Sequence, residues 1–143
     1  AQIINDRLEG NVADVAPNLA EIFRALPEDA PAVLLFGGET TVTLTGDGKG
    51  GRNQDLALRI SQEKIAGEWV FLSGGTDGRD GPTDAAGGLV DTNSAARMTA
   101  AGIDAKARLD NNDAYAALEA SGDLLMTGGT GTNVADVQIF IRR

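Results

Sequence analysis

The chain has 143 residues, a net charge of −9, 42% hydrophobic residues and 23% charged residues, values that suit one soluble globular domain with its own core. It contains no cysteine and no histidine, which excludes disulfides, thiolate chemistry, histidine-ligated metals and any Ser-His-Asp triad within it. The sequence has no clustered basic stretch and no apolar run of membrane-spanning length, so nucleic acid and membranes are not expected partners. We expect a cytoplasmic protein. Since the sequence does not begin with methionine, we also expect it to be part of a longer protein.

The predicted elements alternate between strands and helices. Short apolar runs bounded by glycine predict buried strands, and apolar residues recurring every three or four positions predict helices. In chain order they are a strand at 3–8, a helix at 11–26, strands at 32–36 and 40–45, a helix at 53–65, a strand at 69–73, helices at 93–101, 104–109 and 112–120, and strands at 123–127 and 134–141. The pattern predicts an α/β fold of one domain, residues 1–143, with a mixed β-sheet flanked by helices and glycine-rich loops at the strand ends.

Three apolar runs end in a double glycine followed by small polar or acidic residues. The loops begin at residues 37, 74 and 128. Loops at the strand ends of an α/β sheet are where such folds bind ligands, and glycine lets backbone N–H groups approach an anion closely. We therefore expect a shared phosphate or carboxylate site, although each loop taken alone is also typical of an ordinary tight turn.

Residues 46–51 contain a G-x-G-x-x-G pattern between a predicted strand and a predicted helix. This context fits dinucleotide binding, but the next strand ends in Ser73 and two glycines where an acid should contact the ribose. An anion at the helix N-terminus is still favoured. Arg52 directly follows the loop, where the helix dipole disfavours a cation, so we interpret it as a clamp for phosphate or carboxylate rather than a solvated surface arginine.

Asp77, Asp80 and Asp84 lie close together in one polar loop. Clustered carboxylates can hold Mg²⁺ or supply a base, although Asp84 could equally cap a helix and Asp77 could close a turn. Residues 111–113 (NND) are predicted to cap the helix that follows. No P-loop pattern occurs, so any ATP site is of another kind.

Taken together, these segments resemble the MOFRL domain, the C-terminal part of class II glycerate kinases, which are also called hydroxypyruvate reductases. The matching stretches occur in family order at residues 37–43, 50–54, 73–78, 80–87, 112–113 and 130–134. The chain departs from the family pattern at Gly129, where proline is usual, at Asp55, where glutamate is usual, and at Arg79, where an aliphatic residue is common.

The resemblance implies ATP- and Mg²⁺-dependent phosphorylation of the 2-hydroxyl of D-glycerate, in a cleft against the protein's own Rossmann-like N-terminal domain, which carries a catalytic lysine. Phosphoryl transfer needs positioning and charge stabilisation but neither histidine nor cysteine. Two other functions remain open, an NAD(P)H-dependent hydroxypyruvate reductase and a non-catalytic anion-binding domain. A homodimer is also left open.

The predicted site residues combine the residue chemistry with the resemblance. Arg52 and Asp77 are predicted to be catalytic, and Asp77 and Asp80 to bind Mg²⁺. Substrate or phosphate contacts are predicted for Glu39, Gly50, Gly51, Asn53, Thr130, Thr132 and Asn133. We expect Glu39, Arg52, Asp77 and Asn133 to lie on one surface.

Overall fold

The computed structural model describes all residues from 1 to 143. In chain order its elements are β1 (Gln2–Leu8), α1 (Val12–Arg24), β2 (Ala32–Gly38), α2 (Arg52–Ser61), β3 (Trp69–Gly75), β4 (Gly87–Asp91), α3 (Ser94–Ala100), α4 (Ala105–Asp110), α5 (Ala114–Ser121), β5 (Leu124–Leu125) and β6 (Asp136–Arg142). None of the helices is both long and apolar enough to cross a bilayer.

The strands form one mixed sheet in the order β1-β2-β6-β3-β4-β5. Only β1 and β2 are parallel; all other neighbours are antiparallel. The last strand, β6, lies between β2 and β3, so that Asp136 at its start pairs with Gly38 on one side and with Gly75 on the other. The loops that leave β2 and β3 therefore meet the loop that enters β6 at one end of the sheet.

The core lies between the sheet and its helices. Phe23 of α1 stacks on Phe140 with 3.9 Å between ring centroids, and it also contacts Phe36 and Phe71. The helix α2 packs beside α1 and over β3 and β4. Its approach is so close that a Cβ on Gly88 would lie 2.6 Å from the Cβ of Ala57, which explains why glycine stands there.

The predicted mixed α/β fold is confirmed, but one predicted strand is wrong. Residues 40–45 form no strand and make only an isolated bridge between Asn11 and Thr41. Side chains replace the missing ladder: Asn112 accepts from the Thr45 N–H at 2.6 Å and donates to the Thr43 carbonyl at 3.0 Å. The β-branched alternation of this segment does not lead to a strand because its backbone groups find other partners.

The strand β4 falls within what the sequence suggested was a polar loop. It begins with two glycines, which weaken a strand pattern, and only two of its five residues, Leu89 and Val90, are apolar side chains typical of a strand. Tertiary packing decides its conformation, because a Cβ on Gly87 would collide with the Ser73 carbonyl oxygen of the neighbouring strand at 1.9 Å.

Candidate functional site

Hydrogen bonds join two loops at the end of the sheet where β2 and β3 finish and β6 begins, which we call the site end. The Thr76 N–H and hydroxyl both donate to the Ala135 carbonyl, at 2.9 and 2.7 Å. The Thr130 N–H donates to the Asp77 carbonyl at 3.3 Å. These contacts place the loop after β3 directly against the loop before β6.

Arg52, the first residue of α2, is anchored to this junction by Asp136. Its Nε and Nη2 donate to the two carboxylate oxygens of Asp136 at 2.6 and 2.9 Å. The Asp136 side chain is 1% exposed and the Arg52 side chain 33% exposed. The third guanidinium nitrogen, Nη1, lies 3.4 Å from the exposed carboxylate of Glu39.

The buried ion pair fixes both the charge and the direction of Arg52. Its hydrogen bond to Asp136 raises the pKa of Arg52 above the ordinary value. One edge is held by a bidentate carboxylate, and the other faces outward towards Glu39. An arginine held in this way can bind phosphate or carboxylate without first being ordered.

Sequence reasoning missed Asp136. The only available signal was an acid at the start of a strongly apolar predicted strand, directly after a glycine-rich loop. A buried carboxylate in such a strand requires a cationic partner, but the sequence does not say which cation supplies it.

A second carboxylate, Asp80, occupies the N-terminus of α2. Its Oδ1 accepts from the Asn53 N–H and Nδ2 at 3.1 and 3.2 Å, and its Oδ2 accepts from the Gln54 N–H and Nε2 at 2.9 and 3.0 Å. Gly51 permits this approach, since a Cβ there would lie 2.4 Å from the Asp80 carboxyl carbon. The anion expected at this helix N-terminus is therefore a carboxylate of the chain itself.

The burial of Asp80 bears on its predicted role as a Mg²⁺ ligand. The residue is 2% exposed, and burial raises the pKa of its carboxyl despite the hydrogen bonds that lower it. Both oxygens already accept two hydrogen bonds each from α2. In this structure Asp80 holds the helix that carries Arg52, and neither of its oxygens is free.

Asn53 is also turned inward, into the packing between α2 and β3. It is fully buried, and its Oδ1 accepts from the Ser73 hydroxyl at 2.7 Å while its amide donates to Asp80. Its side chain thereby links β3 to the start of α2. The geometry gives it a structural position rather than the solvent-facing position predicted for a phosphate contact.

The glycine-rich loop at residues 46–51 uses most of its amides within the chain. The Gly46 N–H donates to Asn112 Oδ1 at 2.8 Å, the Gly48 N–H to the Asn111 carbonyl at 2.8 Å, and the Lys49 N–H to Asp113 Oδ1 at 3.1 Å. Asp113 occupies the predicted N-cap position of α5, but its side chain makes no capping hydrogen bond there. Residues 111–113 instead hold the glycine loop in place.

The amides of Gly50 and Gly51 find no acceptor within the chain. Both glycines are partly exposed and directly precede Arg52. Of the whole loop, these two predicted phosphate contacts keep donors free for an anion.

Asp77 is half-buried and is the more accessible of the two predicted metal ligands. Its Oδ1 accepts from the Arg79 N–H at 3.0 Å, which closes a turn, while Oδ2 has no hydrogen-bond partner. No group of three or more acidic side chains is arranged to hold a metal. One free carboxylate oxygen nevertheless fits Mg²⁺, which usually takes one or two protein carboxylates together with substrate phosphates.

The remaining predicted residues lie in the loop before β6. Thr130, Thr132 and Asn133 are exposed; the Thr130 hydroxyl donates to the Thr76 carbonyl, and Asn133 Oδ1 accepts from the Ala135 N–H at 3.2 Å. The structure thus places Glu39, Arg52, Asp77 and Asn133 at the same end of the sheet, with Glu39 and Arg52 in direct contact.

Comparisons with known proteins agree with this architecture. The model of the MOFRL family matches residues 32–136. The chain is 49% identical over 146 residues to the D-glycerate 2-kinase of Thermotoga maritima, covering 97% of this chain and 35% of that protein. It is 43% identical over 148 residues to a putative hydroxypyruvate reductase of Agrobacterium vitis, covering 97% of this chain and 34% of the relative.

A solved structure shares the fold. The crystal structure of glycerate kinase from Thermotoga maritima superposes with a TM-score of 0.92 at 44% identity, covering 99% of this chain and 36% of that one. The chain therefore spans about a third of the length of these relatives.

Proposed function

Because the chain belongs to the MOFRL family and aligns over nearly its whole length with relatives named glycerate kinase, we propose that it is the C-terminal domain of a glycerate 2-kinase. In this proposal it forms one wall of an interdomain site, where a phosphoryl group passes from MgATP to the 2-hydroxyl of D-glycerate. A larger N-terminal domain supplies the opposite wall, in line with relatives about three times as long.

The observation that carries the proposal is the anchored guanidinium of Arg52. Asp136 fixes one edge through two hydrogen bonds, and the other edge faces outward beside the free amides of Gly50 and Gly51. Phosphoryl transfer develops negative charge that must be met by donors already in position. We assign Arg52 to the transferred phosphate or to the glycerate carboxylate, both of which are anions.

Asp77 and the loop before β6 complete the wall in this proposal. Mg²⁺ bound with ATP would neutralise phosphate charge, and the free Oδ2 of Asp77 is the oxygen available to hold it or to accept the proton of the substrate hydroxyl. Exposed Thr132 and Asn133 offer further hydrogen-bond donors at the same edge, whereas the Thr130 hydroxyl and N–H already donate to Thr76 and Asp77.

The carboxylate of Glu39 lies beside the outward nitrogen of Arg52, Nη1, at 3.4 Å. Its carboxylate is 62% exposed, so it can move aside at small cost when an anion binds. Glu39 therefore contributes to the substrate contacts by controlling access to Arg52.

A hydroxypyruvate reductase is the competing function, and the name of the Agrobacterium vitis relative favours it. Four of the amides in the G-x-G-x-x-G loop, however, are bonded to residues 111–113. No acid follows β3 at the position where a ribose would be bound. The kinase accounts better for this geometry.

The test is a coupled assay of the complete polypeptide for ATP-dependent phosphorylation of glycerate and for NAD(P)H-dependent reduction of hydroxypyruvate. Arg52→Lys should reduce kinase kcat/KM about 10²–10³-fold, because lysine cannot keep both the anchor and the outward contact. The melting temperature of Arg52→Lys should fall no further than that of the control variant described next, because lysine keeps a positive charge beside Asp136.

Arg97→Lys is the matched control, since Arg97 is also bidentate with an aspartate, Asp91, but lies away from the site end. It should keep full turnover. Near-normal turnover of Arg52→Lys would remove Arg52 from the site, and NAD(P)H turnover without kinase activity would replace the proposal with the reductase.

A further inference from the structure

Ala135, the residue before Asp136, has a left-handed backbone conformation. Its φ is +67°, and Asn112 is the only other non-glycine residue with a positive φ. Asparagine adopts this region readily, because its side chain can bond to the nearby backbone, whereas alanine has no polar group that compensates the strain. Strained residues persist where their surroundings hold them, and they concentrate at functional sites. The contacts that hold Ala135 therefore bear on the site.

Thr76, the first residue after β3, makes those contacts. Its N–H and its hydroxyl both donate to the Ala135 carbonyl, at 2.9 and 2.7 Å. Its hydroxyl oxygen also accepts from the Val134 N–H at 2.8 Å, and its carbonyl accepts from the Thr130 hydroxyl. Every polar group of Thr76 is thus bonded to the loop before β6. The Ala135 carbonyl cannot turn away from Thr76 without losing two hydrogen bonds.

The carbonyl that Thr76 holds belongs to the peptide group that joins Ala135 to Asp136. A peptide group is planar, so the same contacts also fix the N–H of Asp136 and the direction in which the chain enters β6. Side chains of a strand point alternately to its two faces, and Asp136 lies on the buried face. There its carboxylate accepts both hydrogen bonds from Arg52. The orientation of this peptide group therefore determines where the partner of Arg52 points.

From these contacts we propose that Thr76 is a positioning residue for Arg52. It compensates the left-handed conformation of Ala135 and orients the peptide group before Asp136. Through the Asp136 carboxylate it sets the direction of the Arg52 guanidinium, to which Thr76 itself makes no hydrogen bond. Its part in the reaction rests on the proposed function, whereas its effect on the pair of Asp136 and Arg52 does not.

Kinetics of the complete polypeptide test the part of Thr76 in the reaction. Thr76→Val removes the hydroxyl but keeps a branched side chain, and it should lower kcat about 10-fold, because small displacements of a charge-stabilising group are costly. Thr76→Ser keeps the hydroxyl and should restore most of this loss.

Thr92→Val is the matched control. Thr92 also directly follows a strand, and its hydroxyl also bonds to the backbone, accepting from the Trp69 N–H at 2.9 Å and donating to the Gly67 carbonyl at 3.2 Å. It lies at the opposite end of the sheet from the proposed site. Thr92→Val should therefore keep the kcat of the wild type, and a loss in this control as large as that of Thr76→Val would contradict the proposal.

A double-mutant cycle with Ala135→Gly tests how Thr76 acts. Glycine adopts the left-handed conformation without strain, so in the Ala135→Gly background Thr76→Val should lower kcat only about 3-fold or less. An equal loss in both backgrounds would overturn the proposal. If Thr76→Val does not fold by itself, folding in the Ala135→Gly background would support the compensation of strain, and failure to fold there would overturn it.

The Arg52 side chain gives a readout that needs no activity. With isotope-labelled arginine in the complete polypeptide, the Nε–H signal of Arg52 is identified by its loss in Arg52→Lys, and its exchange with water reports the hydrogen bond to Asp136. Thr76→Val should accelerate this exchange about 10-fold, because local opening becomes more frequent, whereas Thr92→Val should not change it.

The two readouts separate this proposal from the proposed function. A complete polypeptide that does not phosphorylate glycerate would overturn the proposed function, and the exchange of the Arg52 Nε–H alone would then decide the role of Thr76. A Thr76→Val variant with the kcat and the Arg52 exchange of the wild type would overturn the positioning role. A lower melting temperature in that variant would not rescue it, because Thr76 would then be a structural residue only.

Discussion

At the scale of single residues, the arrangement around Arg52 depends on the buried carboxylate of Asp136. The carboxylate holds two of the three guanidinium nitrogens, and it is itself fixed between the ends of β2 and β3. Without the negative charge of Asp136, the backbone of Arg52 would stay in place on α2, but its side chain would be free to rotate. Asp136 is therefore a positioning residue for the proposed reaction.

We expect Asp136→Asn to lower kcat of the complete polypeptide about 10²-fold, because a small misplacement of a charge-stabilising group has effects of this size. Asp91→Asn removes a comparable bidentate partner, that of Arg97, and should lower stability without lowering kcat. Steady-state kinetics and thermal melting of both variants are the measurements. Equal kcat in the two variants would contradict the positioning role.

Asp55 provides a second test at the residue scale. It is 2% exposed, its Oδ1 accepts from Arg59 at 2.6 Å, and its Oδ2 is buried without a partner. Burial raises the pKa of Asp55 in the folded state despite Arg59. A raised acid pKa contributes stability that is present below the unfolded pKa and is lost as pH rises through the folded value.

Asp55→Asn removes this titration while keeping an oxygen for Arg59. The free energy of unfolding of the variant should therefore rise relative to that of the wild type as the pH increases above the ordinary carboxyl pKa of 3.8. Urea unfolding of both proteins across that range measures the difference. A difference that is constant with pH would show that Asp55 titrates alike in the folded and unfolded states.

At the scale of elements, the N-terminus of α2 is held by Asp80 from a loop 27 positions away in sequence. Gly51 supplies the space, and the backbone amides of Asn53 and Gln54 supply the donors. Because Arg52 is the first residue of the same helix, the Asp80 carboxylate also fixes the backbone position from which the Arg52 side chain extends. One contact between loop and helix thus supports both the packing and the site.

Asp80→Ala should lower the free energy of unfolding by about 1–3 kcal/mol, since buried α2 donors lose their acceptors. The control Asp104→Ala removes the side-chain cap of α4, which makes one hydrogen bond at an exposed position. It should cost no more than about 1 kcal/mol. Urea denaturation measures the loss in free energy of unfolding for both variants. A smaller loss for Asp80→Ala than for Asp104→Ala would contradict the role of Asp80 as the anchor of α2.

At the scale of the whole molecule, the proposed function makes the chain one wall of a cleft. Arg52, Glu39, Asp77 and the loop before β6 lie along one end of the sheet, and nothing in the chain closes over them. A cleft needs both walls to exclude water and to align donor and acceptor. Relatives named glycerate kinase are about three times as long.

The 143-residue chain alone should therefore fold but not phosphorylate glycerate. Circular dichroism should show a cooperative melt, because the chain has its own aromatic and aliphatic core. A coupled kinase assay should give no turnover above background, with the complete polypeptide at equal concentration as the positive control. Robust turnover by the isolated chain would contradict the two-domain cleft.

Much of the fold and of the family could be predicted from local patterns in the sequence. The helix at α1 and the strands at β2, β3 and β6 follow from apolar periodicity and glycine boundaries, and the family match confirms the resemblance based on the glycine-rich motifs. Periodicity is a local property, so the sequence carries it without reference to the fold. The start of α2 beside Arg52 could be predicted from the same periodicity, which begins directly after a glycine-rich loop.

Only the tertiary structure decided which charged groups meet. Arg52 and Asp136 are 84 positions apart, and their pairing depends on β6 entering the sheet between β2 and β3. The anion at the start of α2 was predicted as a ligand, but packing supplies Asp80 instead. The sequence by itself thus determined most of the elements, the family and the types of residue at the site. The choice of partners, like the conformation of residues 40–45 and of β4, came from long-range packing, which local sequence patterns do not encode.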